Sequence, residues 1–200
     1  MFARLNYVDM DTARMGQVID LWREGIGGYE GLTSGIFLLD GDTAHTLSIV
    51  MFETEALMQA NESGGALKQL VTKMGDLRLT TPQLSFYEGR AHVAAGTAGD
   101  IGYARVIDVT IKPERLDDVV AGWPGHVASY QAEAGFRGAR LLSDRETGRS
   151  ISYSLWGSKA DVEANESSGA LMATVEPYKE MIAVPPAKSY WDVAVLIGDG

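Results

Sequence analysis

Hydrophobic residues follow first a strand pattern and then a helix pattern at the start of the second half of the chain. Residues 103–111 are rich in β-branched side chains and are bounded by Gly102 and Pro113, which predicts a strand. Apolar residues then recur at helical spacing, which predicts an amphipathic helix; they are Leu116, Val119, Val120, Trp123, Val127 and Tyr130. Because Pro124 and Gly125 interrupt this stripe, we expect the helix to kink or to end early.

A hairpin, a second helix and a last strand follow this first helix. Strand patterns at 136–143 and 150–156 flank a polar loop at 144–148, which predicts the hairpin. We expect the Asn-Glu-Ser run at 165–167 to cap the next helix, because short polar side chains accept hydrogen bonds from the N–H groups exposed at a helix start. With a last strand at 189–197, the order is β-α-β-β-α-β, the ferredoxin-like arrangement.

The first half of the chain repeats this order. Residues 60–67 and 164–171 are identical at seven of eight positions, with an offset of 104. Near the start of the two copies the offset is 101, so that Trp22 matches Trp123. The chain is therefore predicted to be an internal duplication of one α+β unit.

The predicted boundaries are a first ferredoxin-like repeat at 1–90, a small-residue, Gly-rich linker at 91–101 and a second ferredoxin-like repeat at 102–200. The sheet of such a repeat is covered by helices on one face only, so its other face needs a second apolar layer. We expect an α+β fold in which two ferredoxin-like β-α-β-β-α-β repeats pack as a pseudo-dimeric α+β barrel within one chain. A further homodimer is compatible with this arrangement.

Charge and composition narrow the classes of partner. The chain has 27 acidic and 17 basic residues, and the basic ones are scattered, which disfavours nucleic acid. It has neither a signal-peptide pattern nor an apolar run of roughly 18–20 residues, so we expect no membrane partner and a cytoplasmic location. Because cysteine is absent and the three histidines His45, His92 and His126 are dispersed, no metal site is expected.

The second repeat also resembles a known family, in residues 135–142, in Asp144 and Thr147-Gly148, and in residues 152–158. These residues are similar to the antibiotic biosynthesis monooxygenase family of the dimeric α+β barrel superfamily. The resemblance covers almost all of the second repeat, and the first repeat through the duplication. It implies oxidation of phenolic, polyketide-like compounds by molecular oxygen, with the electron-rich ring as reductant, so no cofactor is expected.

Two features of the family's sites can be compared with this chain. Its aromatic monooxygenases carry an asparagine four residues before the tryptophan that ends the third strand. Trp156 matches that tryptophan, but Ser152 stands at the asparagine position. The haem-degrading relatives carry an iron-ligating histidine soon after the tryptophan of their second helix, and residues 127–200 contain no histidine, so haem is not expected either.

Five residues of the second repeat are candidates for binding a small molecule: Trp156, Ser152, Tyr153, Trp123 and His126. Ser150, Ser152 and Trp156 share one face of a strand because side chains alternate along it. No residue is assigned a catalytic role. The predicted function is a small-molecule pocket protein resembling cofactor-independent monooxygenases, which binds or acts on a small apolar aromatic ligand. The alternative is a non-catalytic α+β barrel with a structural, sensing or ligand-binding role.

Overall fold

The structure is a computed structural model that describes residues 1–94 and 99–198. The first repeat contains β1 (Phe2–Asp9), α1 (Met15–Ile26), β2 (Leu32–Leu39), β3 (His45–Phe52), α2 (Glu55–Ser63), α3 (Gly65–Met74) and β4 (Gln83–Ala94). The second contains β5 (Tyr103–Ile111), α4 (Leu116–Gln131), β6 (Phe136–Ser143), β7 (Arg149–Trp156), α5 (Lys159–Ser167), α6 (Ala170–Val175) and β8 (Ile182–Gly198). Short 3-10 helices lie at Thr12–Arg14, Gly75–Leu77, Pro113–Arg115 and Glu176–Met181.

Both repeats have the β-α-β-β-α-β order, with the second helix divided in two. The hydrogen-bonded order of the strands is β1-β3-β2-β8-β5-β7-β6-β4, the order of an α+β barrel made of two ferredoxin-like repeats, so the predicted fold class is confirmed. Within the part of the chain that the structure describes, no helix is long and apolar enough to cross a membrane.

The chain divides into two compact units, and both long strands contribute to both of them. Unit 1 holds Met1–Phe86 together with the end of β8 from Asp192, and unit 2 holds Tyr87–Trp191. In unit 1, β3 pairs with β1 and β2, and β2 pairs with the end of β8. In unit 2, β7 pairs with β5 and β6, and β6 pairs with the end of β4. Each unit thus completes its sheet with a strand segment that continues from the other.

Of the two expectations for α4, a kink or an early end, the early end does not occur, because the helix continues through Pro124 to Gln131. Its apolar stripe explains this, because Trp123 is 5% exposed and Val127 is fully buried against the sheet. Burying two such side chains contributes roughly 1.5–3 kcal/mol each, which offsets the roughly 3 kcal/mol cost of a proline inside a helix.

The last strand of each repeat is longer than its sequence pattern suggests. Strand β4 extends through Ala94, and residues 95–98 of the predicted linker lie outside the described residues. Strand β8 begins at Ile182 and includes Pro185 and Pro186, both of which are exposed. Proline is tolerated at such strand positions because its missing N–H leaves no buried acceptor unpaired.

The repeated Asn-Glu-Ser run does not cap a helix, so that prediction is wrong. The helices that follow the run, α3 and α6, have Gly64 and Gly169 as their N-cap residues, and neither has a side-chain cap hydrogen bond. Asn165 and Glu166 lie at the end of α5, where their side chains hold a buried arginine of β5.

That arginine is the same in both repeats. Arg105, 1% exposed, donates from Nη1 to Asn165 Oδ1 over 2.8 Å and lies 3.5 Å from Glu166 Oε1. In the first repeat, Arg4 donates to Glu62 Oε1 over 2.6 Å. A buried charge needs such partners, so the run fastens the second helix of each repeat to its first strand.

Candidate functional site

Unit 2 contains a cavity of about 320 Å³ between its helices and one face of its sheet. This volume lies near the lower end of the roughly 300–1,000 Å³ found for small-molecule sites. Aliphatic side chains from β5, α4, β6, α6 and β8 make up most of its wall. The lining residues with polar atoms or rings are Trp123, His126, Ser150, Ser152, Tyr178 and Lys188.

A hydrogen bond joins the helix wall of the cavity to its sheet wall. The indole Nε1 of Trp123 donates to Ser152 Oγ over 3.3 Å. A serine hydroxyl that accepts one hydrogen bond still carries its own proton. Ser152 can therefore accept from Trp123 and still donate to an acceptor inside the cavity.

Ser150 lies on the same strand face as Ser152, one alternation away. Its hydroxyl is paired with Ser143 Oγ at 3.0 Å and with the carbonyl oxygen of Gly148 at 3.2 Å. Gly148 has a φ of +73°, and a Cβ there would collide with the carbonyl of Ile111, so the hairpin requires glycine at this point. Ser150 is held by the hairpin, whereas Ser152 is held by the helix.

His126 and Tyr178 form a second group of the cavity wall. Their ring centroids are 6.1 Å apart with an interplanar angle of 57°. Tyr178 comes from the 3-10 helix that follows α6, and its hydroxyl lies over Gly122 of α4, where any Cβ would overlap it. Gly122 therefore allows this second aromatic ring to approach α4.

Lys188 brings a cation to the cavity from β8. Its Nζ donates to Glu166 Oε1 over 3.1 Å, and the hydroxyl of Tyr190 lies 2.8 Å from both oxygens of the same carboxylate. Burial disfavours the charged forms of both Lys188 and Glu166, but their hydrogen bonds and the attraction between their opposite charges outweigh this effect of burial. As a result the pKa of Lys188 is raised and the pKa of Glu166, which also accepts from Tyr190, is lowered.

Three of the five predicted residues, Trp123, His126 and Ser152, line this cavity together. Trp156 lies on the predicted strand face but is fully buried. The Phe136 ring packs edge-on against it with ring centroids 5.5 Å apart, and the Trp156 Nε1 donates to Ser154 Oγ over 2.9 Å. It is not among the residues that line the cavity.

Tyr153 points to the opposite face of β7 and does not line the cavity either. Its side chain is 1% exposed, and its hydroxyl has no hydrogen-bond partner among the described residues. Burial raises the pKa of this hydroxyl well above its usual range, with a smaller opposing effect from the charge of Arg140.

Sequence reasoning missed Tyr178 and Lys188. Both come from segments far from the hairpin and from α4, so no local spacing connects them to the other lining residues. The internal offset of 104 does give a signal for Lys188, because it pairs this residue with Leu84. A lysine in place of a leucine marks a change of chemistry between the two copies.

In the equivalent region of unit 1, larger side chains pack against the residues that match the cavity wall. Trp22, the partner of Trp123, stacks on Phe37 with ring centroids 5.2 Å apart and an interplanar angle of 28°. The residue at the Phe37 position in the second repeat is Leu141, which lines the cavity. A leucine in place of a stacked ring leaves space next to Trp123.

A second difference lies on the helix. The residue at the His126 position is Gly25, and a Cβ there would lie 2.7 Å from Leu70 Cδ1. Glycine thus lets α3 pack closely on α1, where Leu70 and Met74 are 6% and 5% exposed. In the second repeat the same place carries an imidazole that borders a cavity.

Metal coordination finds no support in these side chains. Within residues 1–94 and 99–198, no group of three or more histidine, cysteine, aspartate or glutamate side chains could hold a metal ion.

Comparisons with known proteins agree with the ferredoxin-like class of fold. The chain is similar in structure to a candidate monooxygenase from Fusobacterium nucleatum subsp. nucleatum, with a TM-score of 0.78, 11% identity, and 100% of this chain and 94% of that chain covered. A candidate monooxygenase from Lactobacillus acidophilus is similar with a TM-score of 0.76 and 10% identity, and 100% of this chain and 96% of that chain are covered. An anthrone oxidase-like protein is similar with a TM-score of 0.72 and 20% identity, and 100% of this chain and 93% of that chain are covered.

Residues 102–177 match the family model for antibiotic biosynthesis monooxygenase. The second repeat, which contains the cavity, is therefore a domain of the antibiotic biosynthesis monooxygenase-like family, as the resemblance in its sequence implies. No curated protein sequence matches the chain.

Proposed function

We propose that the second repeat binds a small, largely apolar hydroxyaromatic compound in this cavity and oxidises it with molecular oxygen without a cofactor. The observation that carries the proposal is the cavity itself, with a mostly aliphatic wall and a serine hydroxyl that accepts a hydrogen bond from Trp123. Apolar pockets with a few convergent polar groups are typical of small-molecule sites.

The lining residues can contribute to such a reaction in three ways. The Ser152 hydroxyl donates a hydrogen bond to the ligand oxygen and stabilises negative charge that develops there. The imidazole of His126 accepts the proton that leaves the ring system, a task suited to histidine near neutral pH. The aliphatic wall keeps water away from the electron-rich ring.

The oxidation balances without an external reductant. A ring CH2 next to a phenol becomes a ketone, one atom of O2 enters the product, and the other leaves as water together with the two hydrogens. One similar structure belongs to an anthrone oxidase-like protein, which suggests an anthrone as a suitable probe substrate. At 20% identity that likeness supports the choice of probe and not the activity.

Four variants test the proposal, two in each repeat. Ser152→Ala should weaken binding of an anthrone by about tenfold, because one hydrogen bond to an ionised oxygen contributes about 1.5–3 kcal/mol. Trp123→Phe removes the donor to Ser152 and should weaken binding by a smaller factor. Ser48→Ala and Trp22→Phe are the matched controls, since they change the same residue types at the equivalent positions of the first repeat. Binding is measured by calorimetry and turnover by oxygen consumption.

The outcomes separate the proposal from its alternative. Anthrone-dependent oxygen consumption that falls only in the second-repeat variants supports the oxidase. Tight binding without oxygen consumption points instead to the non-catalytic, ligand-binding role. If the wild-type protein binds none of the hydroxyaromatic probes, or if the first-repeat variants lose as much as the second-repeat variants, the proposed site is wrong.

A further inference from the structure

The charged side chain that lines the cavity is a lysine, and its partner Glu166, 3.1 Å from the ammonium group, does not line the cavity. Lys188 is a cation of the cavity wall, and none of the described residues that line the cavity is acidic. This contrasts with the whole chain, which carries a formal charge of −10. A site lined by one sign of charge attracts ligands of the opposite sign.

We propose that the natural ligand is an aromatic acid, whose ionised carboxylate pairs with Lys188 while its rings lie between the aliphatic wall and Trp123. This inference rests on the proposed function, since it names the class of ligand for the same cavity. It assigns Lys188 the role of a specificity-determining residue.

Lys188 is able to turn toward a ligand. An ammonium group has three N–H donors, and one of them reaches Glu166 Oε1 over 3.1 Å. Glu166 has other partners, because the Tyr190 hydroxyl lies 2.8 Å from both its oxygens and Arg105 lies 3.5 Å away. One hydrogen bond further, Glu133 pairs with Asn165 over 3.0 Å. Glu166 and Arg105 therefore keep their opposite charges when Lys188 also contacts a carboxylate.

The first repeat shows that Lys188 is not needed to hold the fold. It retains the buried arginine and its carboxylate, Arg4 and Glu62, at 2.6 Å. At the position of Lys188, however, it has Leu84, which is 49% exposed. The additional cation occurs in the repeat whose Trp123 borders a cavity, as expected for a residue that serves a ligand.

A pair of probes that differ by one carboxylate tests this inference. The probes are 2-naphthol and 6-hydroxy-2-naphthoate, and their dissociation constants are measured by calorimetry at pH 7. The wild-type protein should bind the acid about tenfold more tightly, in line with one charge-assisted hydrogen bond. Raising the salt concentration to about 0.5 M should reduce this preference, because Lys188 is 39% exposed and its charge is partly screened.

Three variants complete the test. In Lys188→Met the preference for the acid should fall to about one, and continued binding of 2-naphthol shows that the variant is folded. Lys188→Arg should retain the preference. Lys159→Met removes a lysine that is 67% exposed on α5 and should leave both affinities unchanged.

The results distinguish two kinds of failure. If 2-naphthol binds but the acid binds no better, or if Lys188→Met keeps the preference, the assignment of Lys188 is overturned and the cavity remains a hydroxyaromatic site. If neither probe binds the wild-type protein, both the proposed function and this inference fail. If Lys188→Met does not fold, Lys188→Arg and the salt dependence decide, and an acid preference that is insensitive to salt overturns the inference.

Discussion

Replacing Leu141 with phenylalanine should close the cavity of the second repeat by reproducing the arrangement of the first. Leu141 lies at the position of Phe37, which stacks on Trp22 at 5.2 Å. In Leu141→Phe the new ring should stack on Trp123 in the same way and occupy part of the cavity of about 320 Å³.

The expected magnitudes can be worked out from these contacts. The larger side chain buries additional carbon atoms worth about 2 kcal/mol at about 0.8 kcal/mol per buried CH2, and stacking adds about 0.5–1.5 kcal/mol. Crowding of a packed core costs about 1–3 kcal/mol, so the free energy of unfolding should change by about −0.5 to +2.5 kcal/mol relative to the wild-type value. Ligand affinity should fall by tenfold or more, since the ring takes the ligand's place.

Two measurements check this prediction together. Urea unfolding gives the free energy of unfolding, and calorimetry with a hydroxyaromatic probe gives the affinity. The reciprocal variant Phe37→Leu should lower stability by about 1–2 kcal/mol and leave affinity unchanged. A Leu141→Phe protein that is stably folded and still binds the probe with wild-type affinity would refute the view that this cavity is the binding site.

Three further predictions concern groups outside the cavity wall. Arg105→Met should lower the free energy of unfolding by about 1–3 kcal/mol, measured in urea, because it leaves the buried Asn165 oxygen without its donor. Tyr153→Phe should be neutral or stabilising in the same assay, because the buried hydroxyl it removes has no partner among the described residues; a loss above about 1 kcal/mol would contradict this. The pKa of Glu166 is lowered in the folded protein, so its contribution to stability is present above the usual glutamate pKa of about 4.3 and is lost as the pH falls through the folded-state pKa. Glu166→Gln should therefore flatten the acid side of the pH–stability curve. An unchanged curve would contradict this role of Glu166.

The sequence predicts much of the fold because the same local patterns occur twice. Matching residues 60–67 with 164–171 identified the duplication, and strand alternation correctly placed Ser150 and Ser152 on one face of β7. The Asn-Glu-Ser run was misread as a cap because its local chemistry suits a helix start equally well. Its actual partner is Arg105, 60 residues away from Asn165 in the chain, and no local rule detects such a contact.

The candidate site was predicted only in part, for a related physical reason. Alternation places Trp156 on the face of Ser152, but it cannot say how far along the strand the helix layer leaves space. Packing decides this, because Phe136 covers Trp156 while Leu141 leaves cavity space next to Trp123. Lys188 and Tyr178 reach the cavity from β8 and from the 3-10 helix after α6, whose positions depend on the whole unit.

A crystal structure of the protein with bound 6-hydroxy-2-naphthoate tests the central claim most directly. The account predicts electron density for the ligand in unit 2, against α4 and the β5–β7 face, with a ligand oxygen within hydrogen-bond distance of Ser152 Oγ. It also predicts no ligand next to Trp22, where Phe37 fills the equivalent space. A ligand bound elsewhere, or a cavity that remains empty at saturating ligand, would contradict it.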